Sequence, residues 1–481
     1  MTDPLSLLPL AAAAGGGQLG DYPAPQLVAA GLTLLQRCAP LVRALSGRRS
    51  AILLPACPAY LTALSASDGR GAVLVNPLAA PIEVATQVRD ANVGAVFTTT
   101  ALATLVPHGV PFVLLDDAPR SARFVTGGTA REVDLGSHHG LALAGERGVD
   151  GCDEEAVIVY TSGMAGRPLG AVLSHRNLIA NARSTVEAVR QDAGDHVLAL
   201  LPFAHLFGLT VTGTAPLFAG ARVTTMERFD PSRAAELLST AGITEVVGVP
   251  AVFRTLLAAV ERRRAGVGEL RVCVCGGAPL PVALQEQWFD ITGVELRQGY
   301  GLTEAAPVCL FNRIDRPNVR GALGVSFPGV EVSVRRPGSG PGGPATPELP
   351  DGESGEICVR GANVFTGYVS GGEAGLPVRD GWLYTGDRGA VRAGGAVVFE
   401  GVIKPMFTRN GFNIYPEEIR QAVSELPGVR EVRVRAIPEP LRDFDIALDV
   451  DGTVTADAIR QWCETRLSAY KQPASVIVSG G

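Results

Sequence analysis

The sequence predicts an α/β fold, with a mostly parallel sheet covered by helices in a large N-terminal domain and a small α+β domain after it. Three observations carry this. Short apolar runs alternate with helical patterns from residue 51 to 98 and again from 157 to 226. Short runs at 355–360, 389–392 and 396–400 read as antiparallel strands, after a Pro- and Gly-rich surface excursion at 334–352. A final helix, two strands, a helix and a strand, from 416 to 478, are enough for a compact unit of their own.

In chain order, residues 25–45 have helical spacing at Leu27, Leu34, Cys38, Leu41 and Leu45, and Pro40 is expected to kink or split that helix. Strands are expected at 51–55, 72–76 and 94–98, with helices at 59–66 and 82–91 between them. Residues 157–175 then form an apolar strand, a glycine-rich turn and a second short strand at 171–173. Helix 177–190, strand 196–201, a largely helical stretch 203–219 and strand 222–226 follow. A boundary near 401–405 separates residues 1–402 from 403–481. The small unit contains helix 416–424, strands 429–436 and 443–450, helix 456–467 and strand 475–478.

Hydrophobic content of 46% in 481 residues supports two or more packed domains, and a net charge of −6 argues against nucleic acid as the main partner. The eight cysteines contain no CxxC pair, so reduced thiols in a cytoplasmic protein are expected, and no zinc site. The opening Met-Thr-Asp lacks a basic leader region, and no apolar run reaches the roughly 18–20 residues that span a bilayer.

Chemistry points to four stretches. In the turn after Val157, Thr161, Ser162, Gly163 and Gly166 have the residue types of an anion cradle, because glycine lets backbone N–H groups approach and the hydroxyls add donors. A plain hairpin explains the same residues equally well. Gly276, Gly277 and Ala278 end an apolar strand containing Cys273 and Cys275, where a flat ring can lie against the backbone. Tyr300, Thr303 and Glu304 follow between glycines, and Asp387 sits in Gly-Trp-Leu-Tyr-Thr-Gly-Asp. Taken singly, Thr303 and Glu304 read as a helix cap and Asp387 as a turn residue.

In this order and spacing the stretches resemble the adenylate-forming superfamily of acyl-CoA synthetases, aryl-acid ligases and adenylation domains. The resemblance runs from about residue 25 to the end and includes Leu201-Pro-Phe-Ala-His-Leu-Phe-Gly208, Gly352-Glu-Ser-Gly-Glu-Ile357 and Asn410-Gly-Phe-Asn-Ile-Tyr-Pro-Glu-Glu-Ile419. It implies that the large domain is built of stacked mixed and parallel sheets plus a short distorted β-barrel, and that the small domain acts as a lid. By the same resemblance Thr161, Ser162, Gly163 and Gly166 surround the β- and γ-phosphates of ATP. Gly276, Gly277 and Ala278 line the adenine and acyl pockets, Tyr300 stacks near adenine, and Thr303 touches the α-phosphate. Glu304 helps hold Mg²⁺, Asp387 binds the ribose hydroxyls of ATP or AMP, His205 gates the carboxylate pocket, and Lys404 is the hinge. His175 and His196 read as ordinary loop or surface histidines.

Departures from the family pattern cluster on cations. The family's Thr-Ser-Gly-Thr-Thr-Gly-x-Pro-Lys-Gly has Met164 and Ala165 in place of the second hydroxyl pair and Leu169 in place of lysine. The arginine of the hinge motif is Val402. A lysine expected near the family's C-terminus has no counterpart, so the small domain is expected to be truncated; Lys471 belongs to an earlier Tyr-Lys-x-Pro element. At roughly 1.5–3 kcal/mol per charge-assisted bond, three lost cations remove about 4–9 kcal/mol if additive.

The leading reading is an adenylate-forming ligase for a non-amino carboxylic acid, acyl or aryl, passing the acyl group to CoA, a carrier-protein phosphopantetheine or another acceptor. A carrier or a partner chain supplying the missing lysine is a candidate partner. The alternatives are ATP-independent transfer, condensation or hydrolysis of a preactivated acyl group, and a non-catalytic binding protein.

Overall fold

The computed structural model describes residues 7–67, 71–136, 153–162, 168–264, 266–338, 344–369, 377–403, 406–441 and 443–479. Two nine-stranded sheets form the body. In one, strands Glu155–Ser162, Ala72–Leu74, Arg49–Ile52, Val93–Thr98 and Phe112–Leu114 run parallel, and antiparallel strands extend both ends. In the other, Leu296–Gly301, Val272–Cys275, Glu245–Gly248, His196–Ala199 and Arg222–Thr225 are parallel neighbours. Strands Ala72–Leu74, Val93–Thr98 and Val272–Cys275 are almost wholly apolar and buried along their length, as strands of a sheet covered on both sides must be.

The long core cluster draws on both sheets and on helices Ala24–Arg37, Ala59–Ser65 and His175–Val189, so the sheets share one interior. Pro40 does split the first amphipathic pattern: helices Ala24–Arg37 and Ala39–Leu45 meet at 91°. Among the described residues no single helix is long and apolar enough to cross a membrane.

Strands Val330–Arg335, Gly355–Gly361, Trp382–Val391, Val378–Arg379 and Val397–Val402 make a five-stranded antiparallel sheet. Asp387 lies inside its ten-residue strand Trp382–Val391 rather than in a turn. A last five-stranded sheet, with helices Pro416–Ser424 and Ala456–Arg466, has its own core around Ile414, Ile419, Ile446, Leu448 and Ile459.

Two histidine readings need correction. His175 is 3% and His196 7% exposed, so neither is a surface residue. His175 opens helix His175–Val189 and its Nδ1 accepts from Leu8 N at 3.2 Å, fastening helix Leu7–Ala14 to the body. His196 lies in a central strand, with its ring nitrogens 3.0 Å from the Ala241 carbonyl and 2.8 Å from Thr224 Oγ1.

Candidate active site

The glycine-rich turn lies between antiparallel strands Glu155–Ser162 and Pro168–Ser174, at the point where their sheet changes from parallel to antiparallel. Gly163 and Gly166 fall outside the described residues, as does Lys404. Thr161 pairs directly with Leu169, so both side chains share a face, and Thr161 Oγ1 lies 3.4 Å from the Leu169 carbonyl. Ser162 pairs with Pro168.

Glu304 is positioned from several directions. Thr303–Ala305 form one turn of 3₁₀ helix just after strand Leu296–Gly301. Buried amides hold this turn: Asn363 Nδ2 donates to Ala305 O at 2.9 Å, and Asn181 Nδ2 to Val308 O at 2.8 Å. Asn181 itself stands on helix His175–Val189, whose start is closed by reciprocal bonds between Ser174 and Asn177. Phe365 N donates to the Glu304 carbonyl at 2.9 Å, and the Tyr368 hydroxyl to Glu304 Oε1 at 3.0 Å. Tyr368 belongs to strand Gly367–Tyr368, which pairs with Ala171 and Val172 beside the glycine-rich turn. Register thus joins the turn to the carboxylate.

Asp387 and Tyr300 are also brought together, with the Tyr300 hydroxyl donating to Asp387 Oδ2 at 2.7 Å. Burial pushes the Tyr300 phenol well above its ordinary range, and the Asp387 charge adds to the shift. The Tyr415 phenol is pushed up by burial and then by the charges of Glu304 and Asp387. Tyr368 stands outside every stretch singled out from the sequence, and Tyr415 entered only as part of the stretch 410–419. Val402 faces Asp387 across the strand pair and is 40% exposed.

Beside Tyr300 opens an apolar cavity of about 70 Å³, lined among others by Phe207, Val211, Val274, Gly277, Phe311 and Phe327. Gly276 closes against it: a Cβ there would stand 3.0 Å from the Phe207 ring and 3.1 Å from the Gly299 carbonyl. Gly277 has φ +76° and looks toward the Gly411 carbonyl. Ala278 follows, half-buried.

His205 stands at the start of an eight-residue π-helical stretch, Phe207–Thr214. Gly208 permits this turn, since a Cβ would meet the Pro202 carbonyl at 2.3 Å. His205 Nε2 lies 3.2 Å from Asn76 Nδ2, which requires the neutral ring to accept there. Burial lowers its pKa to about 4, so the imidazole is neutral at pH 7. Its outer face is covered by the Phe412 ring at 5.2 Å, which stacks on Tyr470 at 4.2 Å. Phe412 entered the sequence reading only within the stretch 410–419 and Tyr470 only within the Tyr-Lys-x-Pro element, because the contact with His205 spans about 200 residues of chain.

The residues fit a magnesium nucleotide. Among the described residues no three His, Cys, Asp or Glu groups converge to hold a metal by themselves. One carboxylate, Glu304, suits Mg²⁺, which keeps waters and takes phosphate oxygens for the rest of its shell. At Gly276 the place of a Cβ is already taken by the Phe207 ring and the Gly299 carbonyl, so only bare backbone fits there.

Comparison with known proteins decides the family: the model for "AMP-binding enzyme" matches residues 39–369. The chain belongs to the AMP-binding enzymes. Feruloyl-CoA synthase of Amycolatopsis sp is 32% identical over 436 residues, covering 89% of this chain and 84% of that protein. 4-Coumarate–CoA ligase 5 of Oryza sativa subsp. japonica is 30% identical over 472 residues, covering 92% and 82%. The o-succinylbenzoate CoA synthetase of Bacillus subtilis, a double mutant bound to a product analogue, superposes with a TM-score of 0.79 at 23% identity, covering 96% of this chain and 92% of that one. That last likeness is one of fold. This AMP-binding enzyme therefore sits among the adenylate-forming acyl- and aryl-CoA ligases, with the expected two-part architecture.

Proposed function

We propose that this chain activates an apolar, non-amino carboxylic acid as its acyl-AMP and passes the acyl group to CoA. One observation carries the reading: the apolar cavity opens beside Tyr300, whose hydroxyl is bonded to Asp387, with Glu304 on the next turn. The residues proposed for acid, ribose and magnesium thus belong to the strand Leu296–Gly301, the turn after it, and Asp387 bonded to that strand. The acid enters the cavity lined by Phe207, Phe311 and Phe327; no carboxylate or amide among those lining residues is placed to hold an α-amine. Asp387 takes the ribose diol, Glu304 the magnesium, Thr303 the α-phosphate, and Thr161 and Ser162 the outer phosphates. Neutral His205 borders the carboxylate position as a hydrogen-bonding group without charge. Residues 403–481 serve as the small domain, with Lys404 in its hinge. ATP and Mg²⁺ drive the first step by positioning and charge stabilisation of the adenylyl transfer.

A second reading rests on Leu169 and Val402. Each apolar side chain shares a face with a nucleotide residue, Thr161 and Asp387 respectively, where the family pattern carries a cation. On that reading the site accepts an acyl group already activated as a thioester or adenylate, and a partner or carrier protein delivers it. Acid-dependent ATP–pyrophosphate exchange across a panel of cinnamic, benzoic and fatty acids separates the two. Exchange with at least one acid is the expected result. A flat panel together with turnover of an acyl-CoA overturns the ligase reading in favour of the second.

A further inference from the structure

Lys471 is one of two lysines in the sequence, and its side chain is only 7% exposed. Its Nζ donates to Glu418 Oε1 at 2.6 Å and to Glu83 Oε1 at 2.9 Å. An ammonium taken out of water costs several kcal/mol unless it is paired, and here two carboxylates flank it. The two acids come from different bodies. Glu418 lies on helix Pro416–Ser424 of the C-terminal unit, whereas Glu83 lies on helix Pro81–Asp90, which covers the first large sheet. Ser468 also donates to Glu83. Glu418 alone gives Lys471 a counter-charge inside its own unit; the bond to Glu83 adds docking.

What that docking carries is the cover of His205. Tyr470, the preceding residue, lies flat on Phe412, with ring centroids 4.2 Å apart and planes at 15°. Phe412 rests on His205. Arg409 ties the same segment to the hairpin, donating to the Tyr470 carbonyl at 3.2 Å and the Gln472 carbonyl at 2.7 Å. On another side of the contact Arg254 reaches Asp443 at 3.1 Å, so the unit has a second ionic tie to the body. We infer that Lys471 is a positioning residue: its bond to Glu83 seats Tyr470 and Phe412 over His205, two residues before the cavity-lining Phe207, and losing it lets that cover lift.

The test reads His205 directly. The full chain is treated with diethyl pyrocarbonate, and carbethoxylation of His205 is followed by mass spectrometry. Glu83→Gln is the decisive variant, because glutamine still accepts from Ala80 N (2.8 Å in the parent) and keeps the helix start closed while removing the charge. His205 is expected to react roughly tenfold faster in Glu83→Gln, the scale of one charge-assisted bond. Lys471→Met should do the same; if it does not fold, Glu83→Gln decides alone. A His205 rate in Glu83→Gln indistinguishable from the parent overturns the inference. A second arm rests on the ligase reading: thioester formation should slow about tenfold in Glu83→Gln with the KM for ATP unchanged. A parent chain inactive with every acid counts against the ligase reading and leaves the labelling result to stand or fall by itself.

Discussion

The Tyr300 hydroxyl donates to Asp387 Oδ2 across 2.7 Å, joining the strand that edges the apolar cavity to the strand that carries the proposed ribose contact. A hydrogen bond to a charged group is worth about 1.5–3 kcal/mol, enough to fix the carboxylate's rotamer before nucleotide arrives.

Tyr300→Phe keeps the apolar ring and removes only this bond. AMP affinity is expected to fall by about tenfold or more, while the KM for the acid stays near the parent value. Asp387→Ala should cost more, since it also removes the proposed ribose acceptor. Titration calorimetry with AMP checks both; unchanged affinity in Tyr300→Phe shows that Asp387 is held by other contacts.

Gly276→Ala tests where the acid lies. The backbone there suits alanine, but the added Cβ meets a ring edge at 3.0 Å and a carbonyl at 3.1 Å. Overpacking of this kind costs about 1–3 kcal/mol. Activity should shift toward smaller acids, with KM rising most for the bulkiest, as read from kcat/KM across an acid series. An unchanged ranking places the acyl group elsewhere.

How far the sequence revealed this site depended on whether its signals were local. Thr161, Glu304 and Asp387 stand in short motifs, so they could be proposed from their neighbours alone. The strand–helix alternation likewise placed most elements within a few residues, because apolar periodicity is a local property. Asp387 was harder to place: Gly386 beside it has φ +75° and suggests a turn, yet cross-strand pairing carries the chain through to Val391. His175 and His196 were misjudged because flanking polar residues say nothing about the helix or strand packed above them. Lys471 was seen only as part of a Tyr-Lys-x-Pro element, since its partner Glu83 lies 388 residues away. Tertiary pairing of that range leaves no periodic trace.

Acid should destabilise the fold through His175 and His205. Burial lowers His175 and His205 from 6.5 to about 4. Between those values the unfolded chain binds protons that the folded chain refuses, so stability rises with pH. Each histidine withdraws about 1.4 kcal/mol per pH unit as pH falls through that window. Replacing His175 with glutamine removes one such contribution. Urea unfolding of parent and His175→Gln at pH 6.5, 5.5 and 4.5 should show the parent losing stability more steeply; parallel profiles mean that His175 is protonated in the fold.

Leu169→Lys addresses the nucleotide grip. Leu169 sits directly across from Thr161 on the same face, and it is half-buried rather than packed away, so a lysine there can extend toward the turn. An ammonium paired with phosphate is worth about 1.5–3 kcal/mol, or roughly ten- to 150-fold. If the chain uses ATP with a weakened grip, ATP–pyrophosphate exchange should rise by about that factor and the KM for ATP should fall. Val402→Arg, which puts a guanidinium across from Asp387, should add to it, because the two positions lie on different sheets and have no shared partner among the bonds described. Exchange that stays flat in both single variants and in the double variant is the result that favours acyl transfer without ATP.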